Sequence, residues 1–182
     1  MLPLSSPRLT LRRLIAADIE PFLAYRNDPE IARYQTWGSY SREQAESLVR
    51  EHVHQNPGVP GQWYQIAIAL KKSDVLVGDC ALLVHSDDSR QATIGYSLAR
   101  QHQGYGYATE ALGCLLDHLF HHLQIHRVTA DTDPRNEPSW RLLERLGMRR
   151  EGHLRQSLWF KGAWADEYLY AIRCEEWLAK RE

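Results

Sequence analysis

Residues 101–108 read QHQGYGYA and stand between a strand-like run and the clearest helix of the chain. The strand-like run covers Ala92 to Leu98. From Gly106 to Leu123, apolar residues recur at spacings of three and four, which is typical of a helix with one buried face. Arg127 to Asp131 then reads as a short strand. Strand, helix and strand in this order predict a βαβ crossover, and therefore a parallel strand pair.

Outside this unit the chain predicts strands joined by short polar turns, which favour antiparallel neighbours. These further strands are Arg8 to Leu14, Trp63 to Leu70, Val75 to Val84, Met148 to Trp159 and Trp164 to Arg173. Helices are indicated by an N-cap at Asp18, by a capping box at Ser41 and Gln44, and by a stop at Gly147. We expect an α/β (α+β) fold in a single domain, 1–182. Its one mixed, mostly antiparallel twisted sheet has about seven strands, a central parallel pair and about four helices.

Composition excludes several classes of protein. The net charge of -1 over 182 residues argues against a chain-wide basic field for nucleic acid, so direct nucleic-acid binding is not expected. No apolar run is long enough to span a membrane. The three cysteines, Cys80, Cys114 and Cys174, form no CxxC motif and favour buried thiols in a reducing cytoplasm. No spacing resembles a metal site.

The glycines of residues 101–108 suggest what the loop does. Gly104 and Gly106 permit unusual dihedrals and close backbone approach at the start of a helix. Free N–H groups and the helix dipole there suit a pyrophosphate. The alternative is a glycine-softened turn without a ligand. Neither GxGxxG with a following acidic residue nor GxxxxGK[ST] is present.

Gln101-x-x-Gly104-x-Gly106 resembles the (Q/R)xxGx(G/A) loop of the GNAT superfamily of acyl-CoA-dependent N-acetyltransferases. The segments IGYSL (94–98), GYGYATEA (104–111), NEPS (136–139) and LGM (146–148) resemble the RimJ/RimL-like branch, which acetylates N-termini of ribosomal proteins. The opening PRLTLR (7–12) and residues 168–177 are also similar to that branch. The resemblance covers nearly the whole chain.

The resemblance implies that acetyl-CoA is the acetyl donor and coenzyme A the product. Its pyrophosphate would be held by the loop backbone, which Gln101 opens and which continues through Gln103, Gly104, Tyr105, Gly106, Tyr107 and Ala108. Backbone groups of Tyr96, Ser97 and Leu98 would hold the pantetheine arm, and those near Leu98 would polarise the acetyl carbonyl. Asn136 would contact the cofactor, although a turn or cap is the alternative.

The catalytic residues are less complete in this sequence. The family's proton-donating tyrosine is replaced by Leu143, and Ser139 is the candidate to assist the departing thiolate. Some of the branch carries a glutamate where Leu158 stands. The open candidates for a base are Glu110, His153, Asp166 and Tyr96. A site without a strong base suits an α-amine of pKa about 7.7–8.0 better than a lysine of about 10.4.

The acceptor would be a protein N-terminus, of the ribosomal-protein type, or a small-molecule amine. Aromatic side chains of the early helices and late hairpin are expected to form its pocket: Tyr34, Trp37, Trp63, Trp159 and Trp164. Arg33, Arg155 and Asp166 are candidates for reading its charge. A homodimer is possible. The competing function is a regulatory module that binds coenzyme A and has lost catalysis.

Overall fold

A computed structural model describes residues 2–180. The strands are β1 (Leu4–Ser5), β2 (Leu9–Arg12), β3 (Trp63–Leu70), β4 (Leu76–Val84), β5 (Gln91–Leu98), β6 (Arg127–Thr132), β7 (Arg149–Phe160) and β8 (Ala163–Arg173). The helices are α1 (Ile19–Arg26), α2 (Pro29–Ala32), α3 (Arg42–His54), α4 (Tyr107–His121), α5 (Glu137–Arg145) and α6 (Cys174–Leu178). None of these helices is long and apolar enough to cross a membrane.

All eight strands form one sheet in the order β1-β2-β3-β4-β5-β6-β8-β7. Every neighbouring pair is antiparallel except β5 and β6, which run parallel on either side of the α4 crossover. That parallel pairing is short, since it joins Gln91 to Arg127 and ends where Thr93 meets Thr129. Beyond Thr93, β5 continues to Leu98 with β4 alone as its partner in the described chain. The sheet therefore opens between the carboxyl ends of β5 and β6.

Helices cover both faces of the sheet. The apolar stripe of α4 is fully buried from Ala111 to Phe120 against side chains such as Ile66 and Ile68 of β3. Ala67, which lies between those two isoleucines, faces the opposite side and packs with α1 and α3. This alternation is what a strand covered on both faces requires.

The predicted mixed sheet with a central parallel pair is confirmed, and its details differ. The additional eighth strand is β1, whose two residues are too few to show alternation; Leu4 pairs with Leu11. Six α-helices are described instead of about four; the short ones are α2, where Asp28-Pro29-Glu30 predicts a helical piece, and α6, where a C-terminal helical tail is predicted. Asp18 stands at the predicted N-cap position of α1, but its carboxylate makes no capping hydrogen bond there: it accepts from the Ile15 N–H and pairs with Arg12.

Candidate active site

The loop between β5 and α4 has the backbone conformation that its glycines permit. Gly104 has φ +82° and Gly106 has φ +78°, both in the left-handed region. Gly106 is the N-cap of α4, and no side chain caps the helix there. A Cβ on Gly104 would meet nothing within 4 Å. The first-turn N–H groups of a 15-residue helix are thus left for a ligand, and they suit an anion.

Glu110, in the first turn of α4, holds the start of this helix through hydrogen bonds to the N-terminal segment of the chain. Its carboxylate accepts hydrogen bonds from the Ser6 hydroxyl (2.7 Å) and from the backbone and guanidinium of Arg8 (2.7 and 2.6 Å). Arg8 also donates to the Tyr105 carbonyl at 3.0 Å. Burial acts in the other direction, but these hydrogen bonds outweigh it and lower the pKa of Glu110. Glu110 thus holds the loop and does not line the cavities described below, which removes it as a candidate base.

A cavity of about 900 Å³ lies in front of the loop. Of the residues expected to hold coenzyme A, the following line it: Tyr96, Ser97, Leu98, Gln103, Gly104, Gly106, Tyr107, Ala108, Asn136 and Ser139. Gln101 and Tyr105 do not line it. Gln101 lies in a short 3₁₀ turn, and the Tyr105 ring points outward and stacks on Tyr107. We call this space the donor cavity.

A second cavity, of about 410 Å³, is lined by residues from both β5 and β6 where the two strands separate. It contains three of the predicted pocket aromatics, Tyr34, Trp37 and Trp63. The other two, Trp159 and Trp164, are placed elsewhere: they pack on each other near the turn of the β7–β8 hairpin and are 61% and 58% exposed. We call this space the acceptor cavity.

The two cavities meet at a shared wall formed by residues that line both of them: Tyr34, Gln35, Tyr96, Ser97, Asn136 and Ser139. Within this wall, the Tyr96 hydroxyl donates to the Ser139 carbonyl at 3.0 Å and lies 2.8 Å from the Ser139 Oγ. Burial raises the pKa of Tyr96, against the opposing effect of the hydrogen bond with Ser139. Tyr96 is therefore a neutral hydroxyl that orients Ser139 and is a poor base.

Three further predictions concern Asn136 and Leu143, at and in α5, and Leu158 in β7. Asn136 occupies the N-cap position of this helix, but its side chain makes no capping hydrogen bond and lines both cavities. Leu143 is fully buried in the core. Leu158, at the position of the branch's glutamate, lines the acceptor cavity with an apolar side chain.

The cavities carry opposite charge. Within residues 2–180, the donor cavity is lined by four arginines, Arg33, Arg100, Arg135 and Arg145, and by Glu30. The acceptor cavity is lined by five carboxylates, Asp79, Asp131, Asp133, Asp166 and Glu167, and by Arg26. A cavity lined mainly by one sign of charge concentrates ligands of the other sign. The donor cavity thus favours an anion and the acceptor cavity a cation.

Of the three charged side chains predicted to contact the charge of the acceptor, one lines the acceptor cavity and two do not. Arg33 lines the donor cavity, and Arg155 lines neither cavity. Asp166 does line the acceptor cavity, where it accepts from the Gln156 N–H at 2.9 Å and lies 2.7 Å from His153 Nε2. These two contacts lower the pKa of Asp166.

Sequence reasoning missed Asp79, Asp131, Asp133 and Glu167. Asp131 could have been found on the cavity side of β6, because Val128, Ala130 and Thr132 are buried on the other side, and Asp133 directly follows this strand. Asp79 forms a fully buried pair with Arg26, and nothing in the local pattern signals that contact. No group of three or more His, Cys, Asp or Glu suited to a metal ion occurs in the described part of the chain.

Comparison with known proteins identifies the family. A family model described as an acetyltransferase (GNAT) domain matches residues 8–149. The "uncharacterized N-acetyltransferase p20" of Bacillus licheniformis is 32% identical over 175 residues, which cover 96% of this chain and 97% of that protein. The [ribosomal protein uS5]-alanine N-acetyltransferase of Escherichia coli is 35% identical over 88 residues, 48% of this chain and 45% of that one.

Solved structures give the same result. A GNAT-family acetyltransferase from Bacillus anthracis has a TM-score of 0.83 at 28% identity and covers 96% of this chain and 99% of its own. The spermidine N-acetyltransferase of Vibrio cholerae, solved with CoA and spermine, has a TM-score of 0.80 at 25% identity, with 95% and 99% covered. With the family model matching most of its length, the chain belongs to the GNAT acetyltransferase family.

Proposed function

We propose that the protein transfers the acetyl group of acetyl-CoA to an amine that binds as a cation, by direct attack of its deprotonated nitrogen on the thioester. The observation that carries this proposal is the shared wall: an arginine-lined cavity with a glycine loop adjoins a carboxylate-lined cavity at Tyr96 and Ser139. Acetyl-CoA, an anion, suits the first cavity. An ammonium group suits the second.

The residues of the donor cavity fit the cofactor's chemistry. The open space over Gly104 and the uncapped start of α4 would receive the pyrophosphate through backbone N–H groups, including those of Gly106, Tyr107 and Ala108. The edge of β5 that has no β6 partner, residues 94–98, would pair with the amide groups of the pantetheine arm. Bound acetyl-CoA supplies the activated acyl group.

In the donor cavity next to the shared wall, backbone donors near Leu98 would stabilise the negative charge that develops on the acetyl oxygen. Ser139, held by Tyr96, would assist the departing thiolate. The acceptor would be either a peptide α-amine or a small polyamine, because both are cations. The similarity to a ribosomal-protein acetyltransferase supports the first and the CoA–spermine complex of a structural neighbour supports the second. A homodimer stays a prediction.

The test is release of free thiol from acetyl-CoA in the presence of three acceptors: spermidine, a peptide with a free N-terminal alanine, and an N-terminally blocked peptide with one lysine. We expect amine-dependent release with at least one of the first two, above the rate with the blocked peptide. Binding of coenzyme A without amine-dependent release from any acceptor would instead favour the regulatory module.

A further inference from the structure

The carboxylates of the acceptor cavity differ in whether their charge is already matched. Asp79 pairs with Arg26, which is 1% exposed, and Asp133 pairs with Arg135 at 2.6 Å. Asp166 is 2.7 Å from the His153 ring nitrogen. Glu167 accepts a hydrogen bond from the Ser157 hydroxyl at 2.8 Å.

Asp131 is the exception. Over residues 2–180 its carboxylate has no ion-pair partner. It is also open to solvent in the cavity, unlike the buried Asp79. An approaching ammonium group would therefore reach an accessible carboxylate that no cation of the protein neutralises.

The position of Asp131 relates it to the reacting atoms. It stands near the carboxyl end of β6, on the strand that diverges from β5 after Thr93. Asp131 lines the same cavity as Tyr96 of β5 and Ser139 of α5, which belong to the wall that the two cavities share. An amine held by Asp131 thus approaches the thioester end of the donor cavity from the acceptor side.

From this arrangement, and on the basis of the proposed function, we infer that Asp131 is the base that binds the acceptor's ammonium group and removes its proton. In the reaction the N–C bond forms and the C–S bond breaks. The ammonium nitrogen loses two protons. One passes to the Asp131 carboxylate and from there to water, and the other passes to the coenzyme A thiolate.

The surroundings of Asp131 suit this role. The cavity walls raise the pKa of its carboxyl group, and the negative charge of Glu167 on β8 adds to that effect. The other charged groups that face the cavity are Asp133, Asp166 and the paired Arg26 and Asp79. A base is most effective when its pKa approaches the working pH.

The experiment compares Asp131→Asn with Asp131→Glu in steady-state kinetics, with spermidine and the N-terminal alanine peptide as acceptors at saturating acetyl-CoA. A general base contributes roughly 10²–10⁴-fold, so we expect Asp131→Asn to lower kcat about 100-fold or more on spermidine, with a smaller rise in KM. Asp131→Glu keeps a carboxylate and should recover part of the loss. Asp87→Asn, on an exposed turn, is the matched control, and its kcat should equal that of the native protein.

Comparing acceptors of different pKa distinguishes a base from a structural residue, because a purely structural loss would lower kcat equally for both acceptors. The peptide α-amine has a pKa of about 7.7–8.0 and is partly neutral without help, whereas an amine near 10.4 is almost wholly charged at pH 7. Asp131→Asn should therefore lose less activity on the peptide than on spermidine. Equal losses of Asp131→Asn on both acceptors, or a kcat of this variant within twofold of the native value, would overturn the inference. Amine-dependent acetylation by the native protein would uphold the proposed function in that case. Native protein that acetylates neither acceptor would overturn both.

Discussion

The donor and acceptor cavities share a wall but are built by different means. The donor cavity depends on the backbone: two left-handed glycines, an uncapped helix start and an edge of β5 with no partner on its β6 side. The acceptor cavity depends on side chains from β3, β4, β6, β8 and the segment after α2. A backbone cradle fits any acyl-CoA, whereas a set of side chains can be replaced one at a time. On the proposed function, we expect the first to bind the common donor and the second to select the amine.

The largest expected difference between the two cavities is a change in the KM for acetyl-CoA when the loop of residues 101–108 is altered. Gly106→Val places a β-branched residue at φ +78°, where a left-handed backbone costs about 1–2 kcal/mol, and its Cβ would stand 3.5 Å from the Arg8 guanidinium. We expect the KM for acetyl-CoA to rise about tenfold, as an energy of about 1.4 kcal/mol implies, and the KM for the amine to stay nearly constant. Initial rates at varied concentrations of each substrate measure both values.

Gly162→Val is the matched control for that change. Gly162 has φ +84° in the turn between β7 and β8, so the backbone penalty is similar, but it lies outside both cavities. Its KM for acetyl-CoA should be native. An equal rise in KM for both variants would attribute the effect to general destabilisation and remove the loop from the donor site.

A smaller effect is expected at the shared wall, and it should fall on kcat for every acceptor. Tyr96→Phe removes the hydroxyl that fixes Ser139, and one neutral hydrogen bond is worth about 1 kcal/mol, or roughly fivefold in rate. The double variant with Ser139→Ala should be no slower than Ser139→Ala alone, because Tyr96 acts through Ser139. If the fold losses in kcat of the two single variants multiply in the double variant, Tyr96 acts independently of Ser139.

The sequence predicted the donor cavity better than the acceptor cavity. Residues 101–108 and the helix after them carry their own signal, because glycine dihedrals and helical spacing are local properties. The donor cavity was therefore largely predictable. Trp159 and Trp164 were placed in the acceptor pocket from their segment alone, and they lie near the far end of the hairpin. Asp131 went unnoticed because its importance depends on which carboxylates of other elements already have partners.

The smallest effect concerns the acceptor cavity and changes a pH profile. The surrounding cavity walls raise the pKa of Asp131, and Glu167 adds to that effect by placing a second negative charge nearby. Glu167→Gln removes that charge, so the deprotonated form of Asp131 becomes easier to reach and its pKa falls. The acid limb of kcat/KM for the amine, which follows deprotonation of the free enzyme's base, should therefore move to lower pH.

Two comparisons make this prediction decisive. Glutamine can still accept the hydrogen bond from Ser157, so the hairpin contact at 2.8 Å is kept while the charge is lost. The KM for acetyl-CoA should not change, since Glu167 does not line the donor cavity. A limb that stays in place, or one that moves to higher pH, would mean that a group other than Asp131 titrates in the acid range, and the carboxylates of the acceptor cavity would then only attract the amine without taking its proton.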